Sequence, residues 1–328
     1  MITAYQFTPA GPEIMDELPT QAERDQSGWI DLVDPTPDDN ANVEEFLGVS
    51  VPTREQAQEI ETSSRFFTEN SGTFLNIAML LGVDAGEPKL SPLSFVIIDQ
   101  WVVTIRYHDS AAFGQFHGHV VSPNNSCRES TSVVLHLTEA IIDRAADVIE
   151  KVGTDVDGIN TKIFGTQGKR RAGKAREQKL ESFLGDIAYQ NDIISKARES
   201  LVTIERMIQF LSSVKLEWMD DHGERSRFQL MARDIMSLTD QLSFLSSKTT
   251  FLLDATLGLI SVEQNDVIRI FTVAATILLP PTLVGTIYGM NFVNIPELGW
   301  GFGYPMAIGL MIAAGLVPYW FLKKRGLF

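Results

Sequence analysis

The sequence predicts an α+β membrane protein: a cytosolic α/β domain, then a long helical region with a stalk helix, then two C-terminal transmembrane helices. Three observations predict it. Short β-branched and aromatic runs between Gly, Pro and Asp turns fill the front of the chain. From about Ser130 the apolar residues recur at helical spacing instead. Two long uncharged runs then close the chain, each near the ~20 residues that cross ~30 Å of hydrocarbon. The expected boundaries are 1–130 for the α/β domain, 131–266 for the helical region, 267–291 for the first transmembrane helix, 292–303 for an extracytoplasmic loop, 304–322 for the second helix and 323–328 for a basic cytosolic tail.

In chain order, "GWIDLVDPTPDD" (Gly28 to Asp39) alternates apolar and polar residues and stops at a Pro/Asp cluster suited to capping a helix through "DDNANVEEFLG". "FLNIAMLL", "LSFVIIDQ" and "WVVTIRYH" read as strands of a sheet over about 74–107, the last two joined by a hairpin at Asp99–Gln100. "VVLHLTEAIIDRAADVIEKV" and "LESFLGDIAYQNDIISKARESLVTIERMIQFLSSV" carry the i, i+3, i+4 pattern of amphipathic helices. Between them "FGTQGKRRAGKAR" reads as a Gly-broken basic loop, either a solvated turn or a contact for anionic lipid. "MDDHGER" (Met219 to Arg225) reads as a turn. Beyond it helical character begins near Phe228 and meets no proline until Pro280, a helix of roughly 90 Å at 1.5 Å per residue. So long a helix needs partners, and its two apolar sides point to an oligomeric bundle.

Ile270 to Ile287 and Leu298 to Leu322 contain no charged residue, whereas core helices of a soluble protein seldom show two such runs side by side. Two crossings put both termini on one side. Lys323, Lys324 and Arg325 directly follow the second run, so by the positive-inside rule that side is cytoplasmic, and the link between the helices carries only Glu297 as a formal charge. The start "MITAYQFTPAGPE" lacks a basic segment and a long apolar stretch, so no signal peptide is expected.

The net charge of −15 disfavours nucleic acid as a partner, because nucleic-acid binding calls for a basic surface. The first 69 residues hold fifteen Asp/Glu against three Lys/Arg, which is either an ordinary solvated surface or one that attracts hydrated divalent cations. A single cysteine, Cys127, rules out an intrachain disulfide and fits a reducing compartment. Catalysis finds no support: there is no phosphate loop, nucleotide fingerprint or nucleophile elbow, so no enzyme and no cofactor are expected. The one close histidine pair, His117 and His119, reads as part of a Gly-containing loop and makes a poor metal site.

The remaining feature is "YGMNFVNIPEL", where a neutral polar residue marks the end of an apolar run. Gly289-Met290-Asn291 after a first transmembrane helix, "IPEL" at Ile295–Leu298, a second helix opening on "GYP" and the tail "KKRGLF" together resemble the CorA family of magnesium channels. "IFTVAATILLPPTLVGTIYGMNF" is similar to that family's pore helix, and "WIDLVDP" and "SSRFF" to segments of its cytosolic domain. The resemblance covers nearly the whole chain. It implies a funnel-shaped homopentamer in a bacterial cytoplasmic membrane whose first transmembrane helices line one axial pore. It also implies Mg²⁺ uptake, with passage of Co²⁺ and Ni²⁺, gated by intracellular Mg²⁺; with no nucleotide site, the membrane potential is the expected drive.

A ring of Asn291 carboxamides, with the Gly289 and Met290 carbonyls, offers acceptors to the water shell of an ion that dehydrates reluctantly, and no charge to hold it back. Working back from Gly289 at helical spacing, the same face carries Thr286, Thr282, Leu279, Ala275, Phe271 or Thr272, Ile268 and Asn265. By resemblance, Asn265 and Thr282 match polar pore rings, and Leu279, Phe271 and Ile268 match a hydrophobic constriction able to gate by dewetting. Without the motif these apolar residues read as ordinary packing, and the threonines as donors to their own helix. Phe271 departs from the aliphatic residue of some relatives, and Ile295 from the Met of "MPEL". Asp234, Asp240 and Asp254 on the long helix are the candidates for an intersubunit regulatory Mg²⁺ site. Two alternatives stand beside this reading: a Zn²⁺ transporter of the same superfamily, whose members tend to replace Met290, and a two-helix membrane-anchored signalling or scaffold protein, which needs no Asn at the end of its first helix.

Overall fold

The computed structural model describes the chain apart from residues 9–10, 16–17, 21–22, 60, 70–71, 123–126, 128, 166–173, 214–221, 292–294 and 326–328. The chain divides into two compact units, residues 1–170 with 182–253 and residues 171–181 with 254–328.

The first unit is built on a seven-stranded mixed sheet of β1 (Ile2–Thr8), β2 (Gly11–Met15), β3 (Ser27–Val33), β4 (Phe66–Glu69), β5 (Gly72–Leu81), β6 (Lys89–Ile98) and β7 (Trp101–Arg106), in the order β2-β1-β3-β7-β6-β5-β4. The β6–β7 hairpin turns at Asp99–Gln100 as expected. Ile98 faces Trp101 across it, and Asp99 takes the left-handed φ of 50° that a two-residue hairpin turn demands. The β3–β7 pairing is parallel, with Trp29 opposite Val102, while the other pairings are antiparallel. The expected span 74–107 covers only three of these strands. β2 and β4 escape a pattern search because they lie at the sheet's two edges and bury few residues, and β1 because its buried Ala4, Tyr5 and Phe7 do not alternate; β2 is a short edge strand with Pro12, a residue tolerated at an edge.

Both faces of β3 are covered, so each alternate residue meets a different layer. Ile30 and Leu32 join Val96, Val103 and Ile105 of the sheet and Val43, Phe46 and Leu47 of α1 (Pro37–Leu47) in one core. Helix α1 starts where the Pro/Asp cluster predicts. Thr36 Oγ1 accepts from the Asp39 N–H at 3.2 Å, Asp39 Oδ2 accepts from the Thr36 N–H at 3.0 Å, and Gly48 closes the helix at φ 74°. Two single turns follow, α2 (Arg54–Ala57) and α3 (Thr62–Arg65). On the other face of β3, Trp29 stacks on Tyr5 and packs against Phe116 of α4 (Ala111–Val120).

Helix α4 corrects the loop expected around His117 and His119. Phe113, Phe116, His117 and Val120 fall at i, i+3, i+4 and i+7, a helical stripe whose pattern survives Gly114 and Gly118 because the stripe is buried against the sheet. Helices α5 (Ser130–Gly165) and α6 (Lys174–Ser213) match the two amphipathic patterns. Most of the basic loop between them lies outside the described residues. Helix α7 (His222–Tyr288) begins at His222 instead of near Phe228, so the turn expected over Met219 to Arg225 is already helical in its second half, and Met219 to Asp221 lie outside the described residues. The early start has no apolar signal, since its first residues are polar; Glu224 in the first turn suits the positive end of the helix.

In the second unit α7 continues from Asp254 to Tyr288, a short 3₁₀ turn occupies Pro296–Gly299, and α8 runs over Gly303–Lys324. Both helices continue through internal prolines, Pro280 and Pro281 in α7 and Pro318 in α8. The two helices touch at small residues. A Cβ on Gly285 would lie 3.0 Å from Met311 Cε, and one on Gly315 would lie 3.3 Å from Pro281 Cγ. Without a hydrophobic force between helices in lipid, such close backbone approach supplies the packing.

Candidate ion pathway

The uncharged stretch of α7 lies almost bare in the single chain. Ile268, Phe271 and Leu279 are 61%, 72% and 65% exposed, so they do not pack within the chain. Long apolar helices with unburied surfaces have two uses, lipid contact and contact with other chains. Among the described residues, α7 and α8 are the helices long and apolar enough to cross a membrane. At the end of α8, Lys323, Lys324 and Arg325 lie over Tyr319, Trp320 and Phe321 with 6.0, 5.2 and 4.6 Å between cation and ring centre. Aromatic rings under basic groups are what the boundary between hydrocarbon and water favours.

Asn265, Ile268, Phe271, Ala275, Leu279, Thr282 and Thr286 are all exposed, and at ~100° per residue they occupy about a third of the helix circumference. They form one stripe. Thr282 Oγ1 donates to the Leu278 carbonyl at 2.7 Å and Thr286 Oγ1 to the Thr282 carbonyl at 2.8 Å. Thr272 and Thr276 make the same bond earlier in the helix, to the Ile268 and Thr272 carbonyls. The back-bonding and the polar-ring reading are therefore compatible: a hydroxyl that gives its proton to its own helix presents only lone pairs outward, and the waters of a hydrated cation are donors.

The helix ends at Tyr288, three residues before the expected boundary, so Gly289, Met290 and Asn291 form its exit rather than its last turn. The Gly289 N–H still donates to the Gly285 carbonyl at 2.9 Å and the Met290 N–H to that of Ile287 at 3.3 Å; Asn291 stands exposed beyond them. A helix C-terminus carries unpaired carbonyls and about half a negative charge, a setting that favours a cation without a formal anion. Gly289 has a local reason to be small: a Cβ there would sit 3.1 Å from the Gly285 carbonyl oxygen. Of the link, Phe292 to Asn294 lie outside the described residues.

Asp234, Asp240 and Asp254 are exposed on α7, six and fourteen residues apart, and the chain does not bring them together. Among the described residues, no three His, Cys, Asp or Glu side chains converge on a metal-sized site. Asp234 instead adds to an acidic surface with α5. The Asp143 carboxyl is pushed up, first by burial and then by the charges of Glu139, Asp147 and Asp234. Asp84, which sequence reasoning passed over, is paired with Arg144 and Lys151 of α5, whose bonds and charges hold its carboxyl below the usual range.

His117, His136 and the cysteine serve the first unit's structure. His117 Nε2 lies 3.1 Å from Asp31 Oδ2 and its Nδ1 2.6 Å from the Tyr5 hydroxyl. Asp31, 1% exposed, also takes bonds from Thr104 Oγ1 at 2.7 Å and from Arg106 at 2.9 and 3.2 Å. Burial opposes its ionisation, but the bonds from His117, Arg106 and Thr104 and the Arg106 charge outweigh it and hold the carboxyl low. Cys127 lies 3.5 Å from His136 Nδ1, and burial pushes its thiol up to about 12, far from a thiolate ligand.

A sheet-based domain, a 67-residue helix whose uncharged end stops at a neutral polar exit, and a second apolar helix packed on that end define a protein with two candidate membrane-spanning helices. The family model described as "CorA-like Mg2+ transporter protein" matches residues 24–324. The chain is 35% identical over 327 residues to a magnesium transport protein CorA of Pasteurella multocida, covering 99% of each chain, and 34% identical over 298 residues to that of Escherichia coli K12, covering 90% of each. The solved CorA magnesium transporter of Methanocaldococcus jannaschii superposes with a TM-score of 0.76 at 18% identity, over 100% of this chain and 99% of that one. The chain belongs to the CorA-like Mg²⁺ transporter family.

Proposed function

We propose that the chain is a Mg²⁺ channel of the bacterial inner membrane, a homopentamer whose α7 helices surround one pore, with both termini in the cytoplasm. The single observation that carries this is the exposed stripe from Asn265 to Thr286 leading to the Gly289-Met290-Asn291 exit. The stripe alternates acceptor rings at Asn265, Thr282 and Thr286 with an apolar segment at Ile268, Phe271 and Leu279, and Ala275 between them leaves room. Acceptors bind the ion's water shell, and the apolar segment closes the path by dewetting. Entry of a divalent cation is driven by the membrane potential, about 2.3 kcal/mol per charge per 100 mV.

Intracellular Mg²⁺ gates the channel by bridging acidic faces of neighbouring subunits, with Asp234, Asp240 and Asp254 as ligands. Because these residues lie apart within one chain, the bridge requires carboxylates from two. Co²⁺ and Ni²⁺ pass as well, since both carry octahedral water shells. The Zn²⁺ alternative is weaker: Met290 is in place, and the relatives at 35% identity are named for magnesium. The scaffold alternative leaves the acceptor stripe without a purpose.

The test is ion flux into liposomes holding the purified full chain, comparing Mg²⁺, Co²⁺, Ni²⁺ and Zn²⁺ under an imposed inside-negative potential and with Mg²⁺ added on the side of the termini. The proposal expects uptake of the first three, steepened by the potential and suppressed by Mg²⁺ on the inner side. Zn²⁺ uptake alone, or uptake that follows a proton gradient and ignores the potential, overturns it.

A further inference from the structure

His136, near the start of α5, touches the start of α7, and its two ring nitrogens meet partners of opposite kind. Nδ1 lies 2.7 Å from the Ser132 carbonyl oxygen, which can only accept, so Nδ1 carries the proton. Nε2 lies 3.1 Å from Arg227 Nη1, and a guanidinium can only donate, so Nε2 offers its lone pair. The neutral imidazole satisfies both bonds. An imidazolium would turn a second N–H toward the guanidinium and bring two positive charges into contact.

Neither group steps aside freely. The ring is held by its bond to the carbonyl one turn back in its own helix. Arg227 Nε donates to Glu139 Oε1 at 3.1 Å and its Nη2 donates to Glu139 Oε2. Because a guanidinium is planar, that fork fixes where Nη1 points. Among the described residues, the titratable groups facing the ring are Arg227 of α7, Glu139 of α5, His119 of α4 with 6.2 Å between ring centres, and Cys127 before α5 with its Sγ 3.5 Å from Nδ1. Burial, first, and the Arg227 and His119 charges hold the imidazole below its ordinary range, against the opposing pull of the Ser132 bond and Glu139. His117 shows the contrast. It lies between the Asp31 carboxylate and the Tyr5 hydroxyl, and because a hydroxyl donates or accepts, protonation breaks neither of its bonds.

We propose that His136 and Arg227 form an acid-sensitive latch between α5 and the start of α7, closed while the imidazole is neutral and opened by its protonation. The folded ring holds its proton less tightly than the unfolded one. The latch is therefore complete above about pH 6.5, the ordinary histidine value, and is lost as pH falls through the lower folded value. Histidine suits such a switch because its charge changes between about pH 5 and 8, above the range of ordinary carboxylates.

Cys127, the chain's one cysteine, is buried beside the latch and reports its opening. The experiment is labelling of the full chain in detergent with 4,4′-dithiodipyridine, a thiol reagent that also reacts in mild acid. The rate is divided by that of the urea-unfolded chain at the same pH, which removes the thiol's own pH dependence. Between pH 7.5 and 5.5 this ratio is expected to rise about three- to tenfold in the wild type, ten being the ceiling set one unit below the unfolded histidine value. In His136→Gln, which keeps an acceptor for Arg227 but does not titrate, the ratio changes by less than about twofold. The other histidines and Asp143 remain in that variant, so the comparison isolates His136. Arg227→Met leaves His136 beside Glu139 without the opposing cation, and acid no longer raises the ratio, whatever its value at pH 7.5. The proposal is overturned by a wild-type ratio that does not rise in acid, by the same rise in His136→Gln, or by the same rise in Arg227→Met.

Discussion

Replacing Asp31 by Asn removes the buried charge that balances Arg106 inside the first unit. Asp31 and Arg106 are 1% and 4% exposed, with bonds of 2.9 and 3.2 Å between them. Breaking a buried pair by removing one partner costs about 3–5 kcal/mol. Arg106 keeps two other acceptors, the His108 carbonyl and the Asp109 carboxylate, both at 3.0 Å, which puts the expected loss at the lower end, about 3 kcal/mol. For a unit of about 240 residues, each kcal/mol lowers the melting temperature by about 2–4 °C, so Asp31→Asn melts about 6–12 °C early. The assay is thermal melting of the full chain followed by tryptophan fluorescence, with Trp29 reporting directly because it stacks on His117 at 4.8 Å. Because the folded carboxyl is held low, its contribution is complete above the unfolded value of about 4 and is lost as pH falls through the folded one. The gap between wild type and variant therefore closes only in acid. A second change, Arg106→Met, restores part of the loss. A shift under 2 °C at neutral pH, or a gap that closes as pH rises, refutes this account of the network.

Two further predictions follow from other parts of the chain. Thr36→Ala removes the α1 cap that accepts from Asp39 at 3.2 Å and costs about 1 kcal/mol, read as a melting-temperature drop of about 2–4 °C, while Thr36→Ser keeps it. Leu279→Gly opens the apolar segment and raises Mg²⁺ leak under inhibitory Mg²⁺ at least about tenfold in liposome flux, which corresponds to 1.4 kcal/mol of barrier; an unchanged leak removes Leu279 from the gate.

The uncharged runs, the helical periodicities and the Asp99–Gln100 hairpin were legible because each is a local pattern. The edge strands β2 and β4 were not, since an edge strand buries too little to show a period, and in β1 the buried Ala4, Tyr5 and Phe7 do not alternate. Asp31 and Arg106 were invisible for a different reason: their pairing depends on β3 and β7 lying in parallel with Asp31 opposite Thr104, a contact 73 residues apart in sequence. His117 was misplaced into a loop because two glycines outweighed a stripe of Phe113, Phe116 and Val120 that was present to be read. The helix exit at Gly289–Asn291 was legible as a motif, but its geometry was not. That Asn291 stands beyond Tyr288, in the field of the helix C-terminus, required the fold. The acidic candidates on α7 were the least legible, because a solvated aspartate and a ligand that needs a second chain look alike in one sequence.

The most direct test of the central claim is Mg²⁺ uptake into liposomes by the wild-type chain and Asn291→Ala, at equal reconstituted amounts and the same inside-negative potential. Asn291 is exposed, so the variant is expected to assemble normally. The account predicts uptake by the wild type and a loss of about tenfold or more in Asn291→Ala, the cost of removing acceptors for the ion's water shell. Undiminished uptake through Asn291→Ala contradicts it.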